Sequence, residues 1–222
     1  AIRLAEESGD LHSIALATMA QAISCYGKEP FGESMKRLLK FVDLCETFKL
    51  IQFDAQAHFY LAESYFEMGE YRTSKDYYEK AVRLFSRGFP SFRGLAEIGV
   101  AIAKVMMGEK DINLESLYVH VDENKLKVFE GWKHMYIGKI LLNIDDQHLS
   151  EAEDWTKKAI EIHKRDGMKW LLARDYTLYA DLLKRKGDKL KAKESLTKAI
   201  DIFKDCAANG WVEKYAKKLS TI

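Results

Sequence analysis

The chain has 222 residues, of which 47% are hydrophobic and 31% are charged, and its formal net charge is +1. A sizeable hydrophobic core is therefore available, and no strong overall attraction to nucleic acid or to an anionic membrane is expected. Only 2 prolines and 13 glycines occur, too few for an all-β fold with many turns. No apolar run is long enough to span a membrane.

The three cysteines, Cys25, Cys45 and Cys206, are widely spaced and odd in number. This usage predicts buried small hydrophobes in a reducing compartment rather than disulfides. The N-terminus lacks the basic-then-apolar pattern of a secretion signal. We therefore expect a cytoplasmic location.

Residues 1–9 have the pattern of the end of a helix whose hairpin partner is missing, and the chain lacks an initiator methionine. We therefore expect a piece of a larger protein. Residues 11–47 follow as the first predicted helical hairpin. Two glycines and Pro30 favour a stretched loop over residues 26–32 as its turn.

Residues 51–87 form the clearest hairpin. Apolar residues recur at helical spacing on both sides of Gly69, which stands where a helix end needs a residue that tolerates positive φ. The stripes are Leu61, Ala62 and Tyr65 in the first helix and Ser74, Tyr78, Ala81, Val82 and Phe85 in the second.

Residues 91–125 form the third predicted hairpin, which is irregular. Its first helix is apolar nearly all round from Leu95 to Met107, which predicts the most buried helix of the chain. The alternative is that Val105, Met106 and Met107 form an adaptable binding surface. Its second helix has only a short stripe, which begins at Leu114.

The last hairpins are predicted at residues 127–165 and 168–207. Gly187 and Asp188 mark the final turn, and Asn209-Gly210 predicts a helix stop. A last helix follows at residues 211–220, with an apolar face around Trp211 and lysines opposite, as expected for a helix that caps an array.

The hairpins repeat at a fixed period. The pattern Ser74, Tyr78, Ala81, Val82, Phe85 recurs 40 residues earlier from Ser34, 78 residues later from Ala152, and 40 residues beyond that from Ala192. First helices carry a small residue for a close contact: Ala17, Ala62, Gly99, Gly138 and Ala180. Such self-similarity indicates stacked helical hairpins.

These units resemble tetratricopeptide repeats, although the period of 39 or 40 exceeds the usual 34 or so and the closing proline is absent. The resemblance implies an all-α fold: a right-handed α-solenoid of about five hairpins and a capping helix, in a single domain over residues 1–222. The matching residues are Leu61, Ala62, Tyr65, Gly69, Tyr71, Tyr78 and Ala81, and then Tyr179, Ala180, Leu183, Gly187, Ala192, Leu196 and Ala199.

The same resemblance implies a concave groove, lined by first helices, that binds a peptide or a protein. Carried over by position, its side chains are Gln56, Phe59, Glu63, Phe66, Trp132, Met135, Lys139, Asn143, Arg174, Thr177, Asp181, Lys184 and Arg185. The function implied is a scaffold for protein binding without catalysis.

Residues 1–10 and 171–211 also resemble the helical-repeat arms at the C-terminal ends of large bacterial signalling proteins. That resemblance implies a regulatory sensor arm behind an upstream ATPase or effector domain. Two alternatives stay open, an arm that senses a small ligand and a self-standing adaptor. A homodimer through a terminal hairpin also stays open.

Motifs for catalysis or metal binding are weak. None of the six histidines forms a His-x-x-x-His pair or stands beside a cysteine at metal-ligand spacing. Glu130 and His134 share a helix face, which is more typical of a surface pair, and His163 lies at a core position. No phosphate-binding glycine loop occurs. We expect no enzyme activity, no cofactor and no metal site.

Charge is uneven along the chain. Residues 157–222 hold 17 lysines and arginines against 9 acidic residues, whereas residues 1–156 hold 18 against 25. Such asymmetry could serve an anionic partner, nucleic acid included. Acidic residues lie among the basic ones, so solvated helix faces are the favoured explanation.

Overall fold

The computed structural model describes residues 2–28, 31–122 and 127–222. Within these residues the chain forms α-helices and one 3-10 helix, without a strand, which confirms the predicted all-α fold. The helices are α1 (Ile2–Ser8), α2 (Leu11–Lys28), α3 (Phe31–Thr47), α4 (Ile51–Glu67), α5 (Tyr71–Gly88), α6 (Pro90–Met106), α7 (Leu114–Asp122), α8 (Glu130–Ile144), α9 (Leu149–Arg165), α10 (Lys169–Arg185), α11 (Lys189–Asp205) and α12 (Asn209–Leu219), with the 3-10 helix at Lys127–Phe129.

The chain divides into two compact units, residues 1–100 and residues 101–222, and the division falls within α6. In the first unit α4 pairs with α5, and α3 packs on α2 and α4. In the second unit α8 pairs with α9, α10 pairs with α11, and α12 packs on α11. The single continuous domain stays a prediction. Residues 123–125 of the third predicted hairpin lie outside the described residues.

The helices of the α4–α5 and α10–α11 hairpins are joined by the same tight turn. Gly69 has φ 84° and Gly187 has φ 86°, as their predicted positions at helix ends require. In each turn the next amide donates back to the carbonyl five residues earlier, from Glu70 to Tyr65 and from Asp188 to Leu183, at 2.9 Å. These bonds satisfy carbonyls that a helix end would otherwise leave without a donor.

The predicted stop at Asn209-Gly210 is wrong, because Asn209 begins α12 and Gly210 is helical. Ala207 takes the left-handed conformation instead, with φ 53°, and the Ala208 amide bonds the Phe203 carbonyl at 2.9 Å. A non-glycine residue there costs on the order of 1 kcal/mol, which the closing hydrogen bond helps to offset. The capping helix therefore starts two residues before its predicted position.

The stretched loop predicted over residues 26–32 is also wrong. Helix α2 continues to Lys28 and α3 begins at Phe31, so Gly27 and Gly32 are helical. Both glycines lie in an end turn, where the helix depends least on them. Glu29 and Pro30 lie outside the described residues.

Small residues allow helices to approach closely at four of the five predicted positions. A Cβ added to Gly99 of α6 would lie 2.5 Å from the Tyr78 ring of α5. A Cβ on Gly138 of α8 would lie 2.7 Å from Thr156 Oγ1 of α9. Ala62 and Ala180 are fully buried.

Ala17 is the exception, because it is only half-buried, whereas Ala22 is buried. Ala22 lies 40 residues before Ala62, the spacing that the second helices also keep. The predicted close contact at Ala17 is therefore wrong, and the buried small residue is Ala22, five positions further along α2.

Helix α6 is buried from Leu95 to Val105 at every described apolar position except Val100, which is half-buried. The prediction that α6 is the most buried helix is wrong, because α4 and α8 bury more of their residues. Val105 of the alternative binding surface is also buried. Met106 and Met107 are half-buried.

Candidate functional site

Helices α8, α10 and α12 of the second unit are joined side by side by polar contacts. Arg185 of α10 donates to Asp146 at 2.8 Å and to the Leu142 carbonyl of α8 at 3.2 Å. On the other side, Asp181 of α10 pairs with Lys218 of α12 at 2.6 Å. These are the first helices of the last two hairpins and the capping helix, so we call them the α8–α10–α12 face.

Arg174 lies at the centre of this face and is 4% exposed. Its guanidinium carbon is 5.8 Å from the ring centroid of Trp132, 5.2 Å from that of Trp170 and 5.4 Å from that of Trp211. Indole rings attract a cation through the negative faces of their π systems, more strongly when water is excluded. The buried charge of Arg174 therefore lies between Trp132 of α8, Trp170 of its own helix α10 and Trp211 of α12.

Thr177, one turn beyond Arg174, is buried and also bonded within the chain. Its hydroxyl donates to the Arg174 carbonyl at 2.7 Å and lies 3.3 Å from the hydroxyl of Tyr215 on α12. Trp132 and Met135 of α8 are buried as well. The predicted groove residues nearest the centre thus form a rigid base rather than a solvent-facing surface.

The basic groups at the edge of the face reach solvent. Lys184 and Arg185 are exposed, and Lys139 and Asn143 of α8 are half-buried. Lys184 makes no ion pair or side-chain hydrogen bond within the described part of the chain, whereas Arg185 is tied to Asp146. The ammonium of Lys218 also lies 5.7 Å from the Tyr215 ring centroid. A ligand at this edge would meet the ammonium of Lys184, together with Arg185 and Lys218, whose charges are already paired with Asp146 and Asp181.

The predicted groove residues of the first unit all lie on α4, and only Gln56 is partly exposed. Phe59 meets the Tyr78 ring at a centroid distance of 5.7 Å, and Phe66 meets Tyr71 at 5.2 Å. Glu63 is 1% exposed and accepts hydrogen bonds from the hydroxyls of Tyr26, at 3.2 Å, and Tyr78. These three side chains therefore contact neighbouring helices of their own unit.

Two segments of the chain match family models of the tetratricopeptide repeat, residues 55–87 and residues 174–206. These two segments are tetratricopeptide repeats. The first match covers most of α4 and α5, and the second covers most of α10 and α11. The search of curated proteins finds no match. Among the described residues, no helix is both long and apolar enough to cross a bilayer.

The histidines considered for chemistry have structural contacts around these repeats. His134 bonds the Glu130 backbone carbonyl at 2.7 Å through Nδ1, and the Glu130 carboxylate lies 3.6 Å from Arg165. The predicted surface pair is therefore wrong, because His134 is buried and the Glu130 carboxylate lies near Arg165.

His163 is fully buried and its Nδ1 donates to Asp175 at 2.6 Å, which confirms an interior histidine with a polar partner. Burial raises the pKa of the Asp175 carboxyl to about 6, because desolvation disfavours its charged form; the hydrogen bond and charge of His163 act in the opposite direction. This pair links α9 to α10.

Comparison of the repeats places Trp132 and Arg174 among the predicted groove residues. It does not show that the two side chains are neighbours. Trp170 and Trp211 both contact the same guanidinium, which the sequence does not indicate. The available signal was the spacing of Trp170 and Arg174, four residues apart on one helix face. Trp132 and Trp211 lie on other helices, so their contacts with Arg174 depend on tertiary packing and have no local pattern in the sequence.

Proposed function

We propose that this chain is a non-catalytic protein-interaction module that binds an acidic peptide or protein segment on the α8–α10–α12 face. Tetratricopeptide repeats generally mediate protein–protein interaction, which is the basis of the proposal. The observation that carries it is the exposed basic end of α10, Lys184 and Arg185, on the helix that the aromatic cluster around Arg174 holds rigidly against α8 and α12.

Rigid aromatic and arginine side chains are favoured in binding surfaces because little conformational entropy is lost when a partner docks. The lysines at the edge would attract a negatively charged partner, with an affinity that falls as salt rises. Of the predicted groove residues, the exposed or half-buried ones, Lys139, Asn143, Asp181, Lys184 and Arg185, are the proposed contacts. The buried ones would hold that surface in shape.

The test is charge reversal at the edge. Acidic peptides selected from a phage-displayed library on the intact chain would be measured by isothermal titration calorimetry. The double variant Lys184→Glu with Arg185→Glu should weaken a selected peptide at least tenfold. The control is Lys189→Glu with Lys193→Glu, which reverses two exposed charges on α11, a second helix.

Equal affinity of the wild type and the Lys184/Arg185 variant would refute the proposed surface. Loss of affinity in the α11 control would place binding on the second helices instead. Circular dichroism of each variant would show that helicity is kept, so that loss of binding is not loss of fold.

We further propose that the module is the regulatory arm of a larger cytoplasmic signalling protein. The resemblance of residues 1–10 and 171–211 to such arms supports this. Partner binding would shift a conformational equilibrium shared with an upstream domain. Sequencing the gene upstream of the codon for Ala1 tests this: an ATPase or effector module there supports the arm, and a start codon within a few residues favours a self-standing adaptor.

A further inference from the structure

The turn between α3 and α4 brings an imidazole and two carboxylates together in the first unit. Glu46 lies in the last turn of α3, and Asp54 and His58 lie on α4, four residues apart and so on one face. One ligand atom from each of the three residues lies within 4.8 Å of the others. Lys49, with φ 55°, and the Leu50 amide, bonded to the Cys45 carbonyl at 2.9 Å, fix the turn that makes this possible.

Two of the three groups are buried. The side chain of His58 is 2% exposed and that of Asp54 is 9% exposed. His58 Nδ1 lies 2.8 Å from the Asp54 backbone carbonyl and 2.9 Å from Asp54 Oδ1. Nδ1 carries at most one hydrogen, and the geometry of the ring directs it to the carbonyl.

Asp54 Oδ1 consequently receives no hydrogen bond within the described residues, although it is buried and directed into the cluster. A buried carboxylate oxygen without a donor is unfavourable, because the water it lost is not replaced. A bound cation would supply the missing charge. The third group, Glu46, is half-exposed and leaves the cluster open to solvent.

We propose that Glu46, Asp54 and His58 form a binding site for a divalent transition-metal ion, with Zn²⁺ as the favoured occupant. One imidazole nitrogen and two carboxylate oxygens suit Zn²⁺, which binds such ligands at about 2.0–2.2 Å. Coordination through Nδ1 would require this nitrogen to release its hydrogen and its bond to the Asp54 backbone carbonyl. The ion would join the end of α3 to the start of α4.

Lys80 of α5 competes with the metal for Glu46. Its ammonium lies 3.1 Å from Glu46 Oε1, and both side chains are partly exposed. Binding a metal would require Glu46 to leave this exposed ion pair, which contributes little stability. Glu46 can therefore turn toward the buried pair at small cost.

The chain offers two internal comparisons. His148 pairs with Asp145 at 2.8 Å three residues away, but this pair is partly exposed and belongs to no cluster of three such ligands within the described residues. His163 pairs with Asp175 with no exposure, and its Nε2 faces the backbone at Gly131, where an added Cβ would lie 2.5 Å away. The cluster of Glu46, Asp54 and His58 differs from both pairs because it has a third ligand and, at Glu46, is open to solvent.

The experiment titrates ZnCl₂ into the intact, metal-stripped chain by isothermal titration calorimetry, with Co²⁺ absorption as a second readout of coordination. One Zn²⁺ per chain is expected, and thermal unfolding should move to higher temperature with added Zn²⁺. Glu46→Gln, an exposed change that spares the fold, should weaken binding at least tenfold. Asp54→Asn should abolish it, and Lys80→Ala should tighten it.

Asp145→Asn is the matched control and should bind Zn²⁺ as the wild type does. Absence of Zn²⁺ binding by the wild type would overturn the proposal. Binding that is unchanged in Glu46→Gln would do the same, because the ion would then lie elsewhere. Because Glu46 is at the surface, the Glu46→Gln variant still decides the question if Asp54→Asn fails to fold.

Discussion

The hairpins α4–α5 and α10–α11 share a repeat family and a turn, yet two of their buried charges, Glu63 of α4 and Arg174 of α10, have opposite signs and different neighbours. In α4 the central charge is Glu63, which accepts hydrogen bonds from tyrosine hydroxyls of α2 and α5. In α10 it is Arg174, which lies among three indole rings. Both side chains are less than 5% exposed.

The difference shows which parts of the repeat are fixed by backbone packing and which are not. Turns and small contact residues recur because the helices must approach closely. The buried polar group can have either sign, provided that its neighbours compensate the lost water: O–H donors for the anion and π faces for the cation. Four experiments test this comparison.

The largest expected effect is that of Arg174→Glu. It places an anion against the negative faces of three indoles, and we expect a loss of about 3–5 kcal/mol in the free energy of unfolding. Arg174→Met keeps most of the volume and should lose only about 1–2 kcal/mol. Thermal and urea unfolding measure both; equal losses would show that the charge of Arg174 does not matter.

The second effect is the pH dependence contributed by Asp175. Its native pKa of about 6 lies above the ordinary value of 3.8, so between these pH values the native state holds a proton that the unfolded state has released. Its contribution to stability is therefore full below pH 3.8 and is lost as the pH rises through 6, by at most about 3 kcal/mol.

Urea unfolding of the wild type and Asp175→Asn from pH 4 to pH 7 isolates this contribution. The variant should lack the fall in stability that Asp175 contributes over that window. Parallel stability curves for the two proteins would show that Asp175 titrates alike in the native and unfolded states.

The third effect concerns the close contacts beside each hairpin. Gly99→Ala and Gly138→Ala should each cost about 1–3 kcal/mol, because the added Cβ would lie under 3 Å from the Tyr78 ring or from Thr156 Oγ1. The control is Gly32→Ala in α3, whose added Cβ meets nothing within 4 Å. It should be neutral or stabilise by up to about 1 kcal/mol.

The smallest expected effect is the difference in stability between removing a hydrogen bond to a charged group and removing one to a neutral group. Tyr26→Phe removes a donor to the buried Glu63, and Tyr215→Phe removes a hydroxyl beside Thr177. Both changes keep the ring. Bonds to charged groups are about twice as strong as neutral ones, so Tyr26→Phe should cost about 1 kcal/mol more. The reverse order in chemical unfolding would contradict the comparison.

Sequence alone predicts the features that depend on local chemistry. Gly69 and Gly187 were assigned from the need for positive φ, and Gly99 and Gly138 from the recurrence of small residues. The stop at Gly210 failed because glycine is only one way to end a helix, and Ala207 adopts the same conformation without a sequence signal.

The surface was less predictable than the fold. Position within a repeat identifies the helix face but not the depth of a side chain, which depends on neighbours far away in sequence. Phe59, Glu63 and Arg174 were assigned to a groove and are buried by Tyr78, Tyr26 and Trp211. The Asp54–His58 pair had a visible four-residue spacing, but its third member, Glu46, reaches it only through the α3–α4 turn.

The helices of each unit pack mainly on helices one or two places away along the chain. Contacts of this kind close short loops, so their entropic cost is small and folding is expected to be fast. Each hairpin can act as a nucleus from which order spreads to its neighbours. During synthesis, α4 and α5 can therefore pair well before α10 and α11 do, because Gly88 precedes Asp205 by more than a hundred residues.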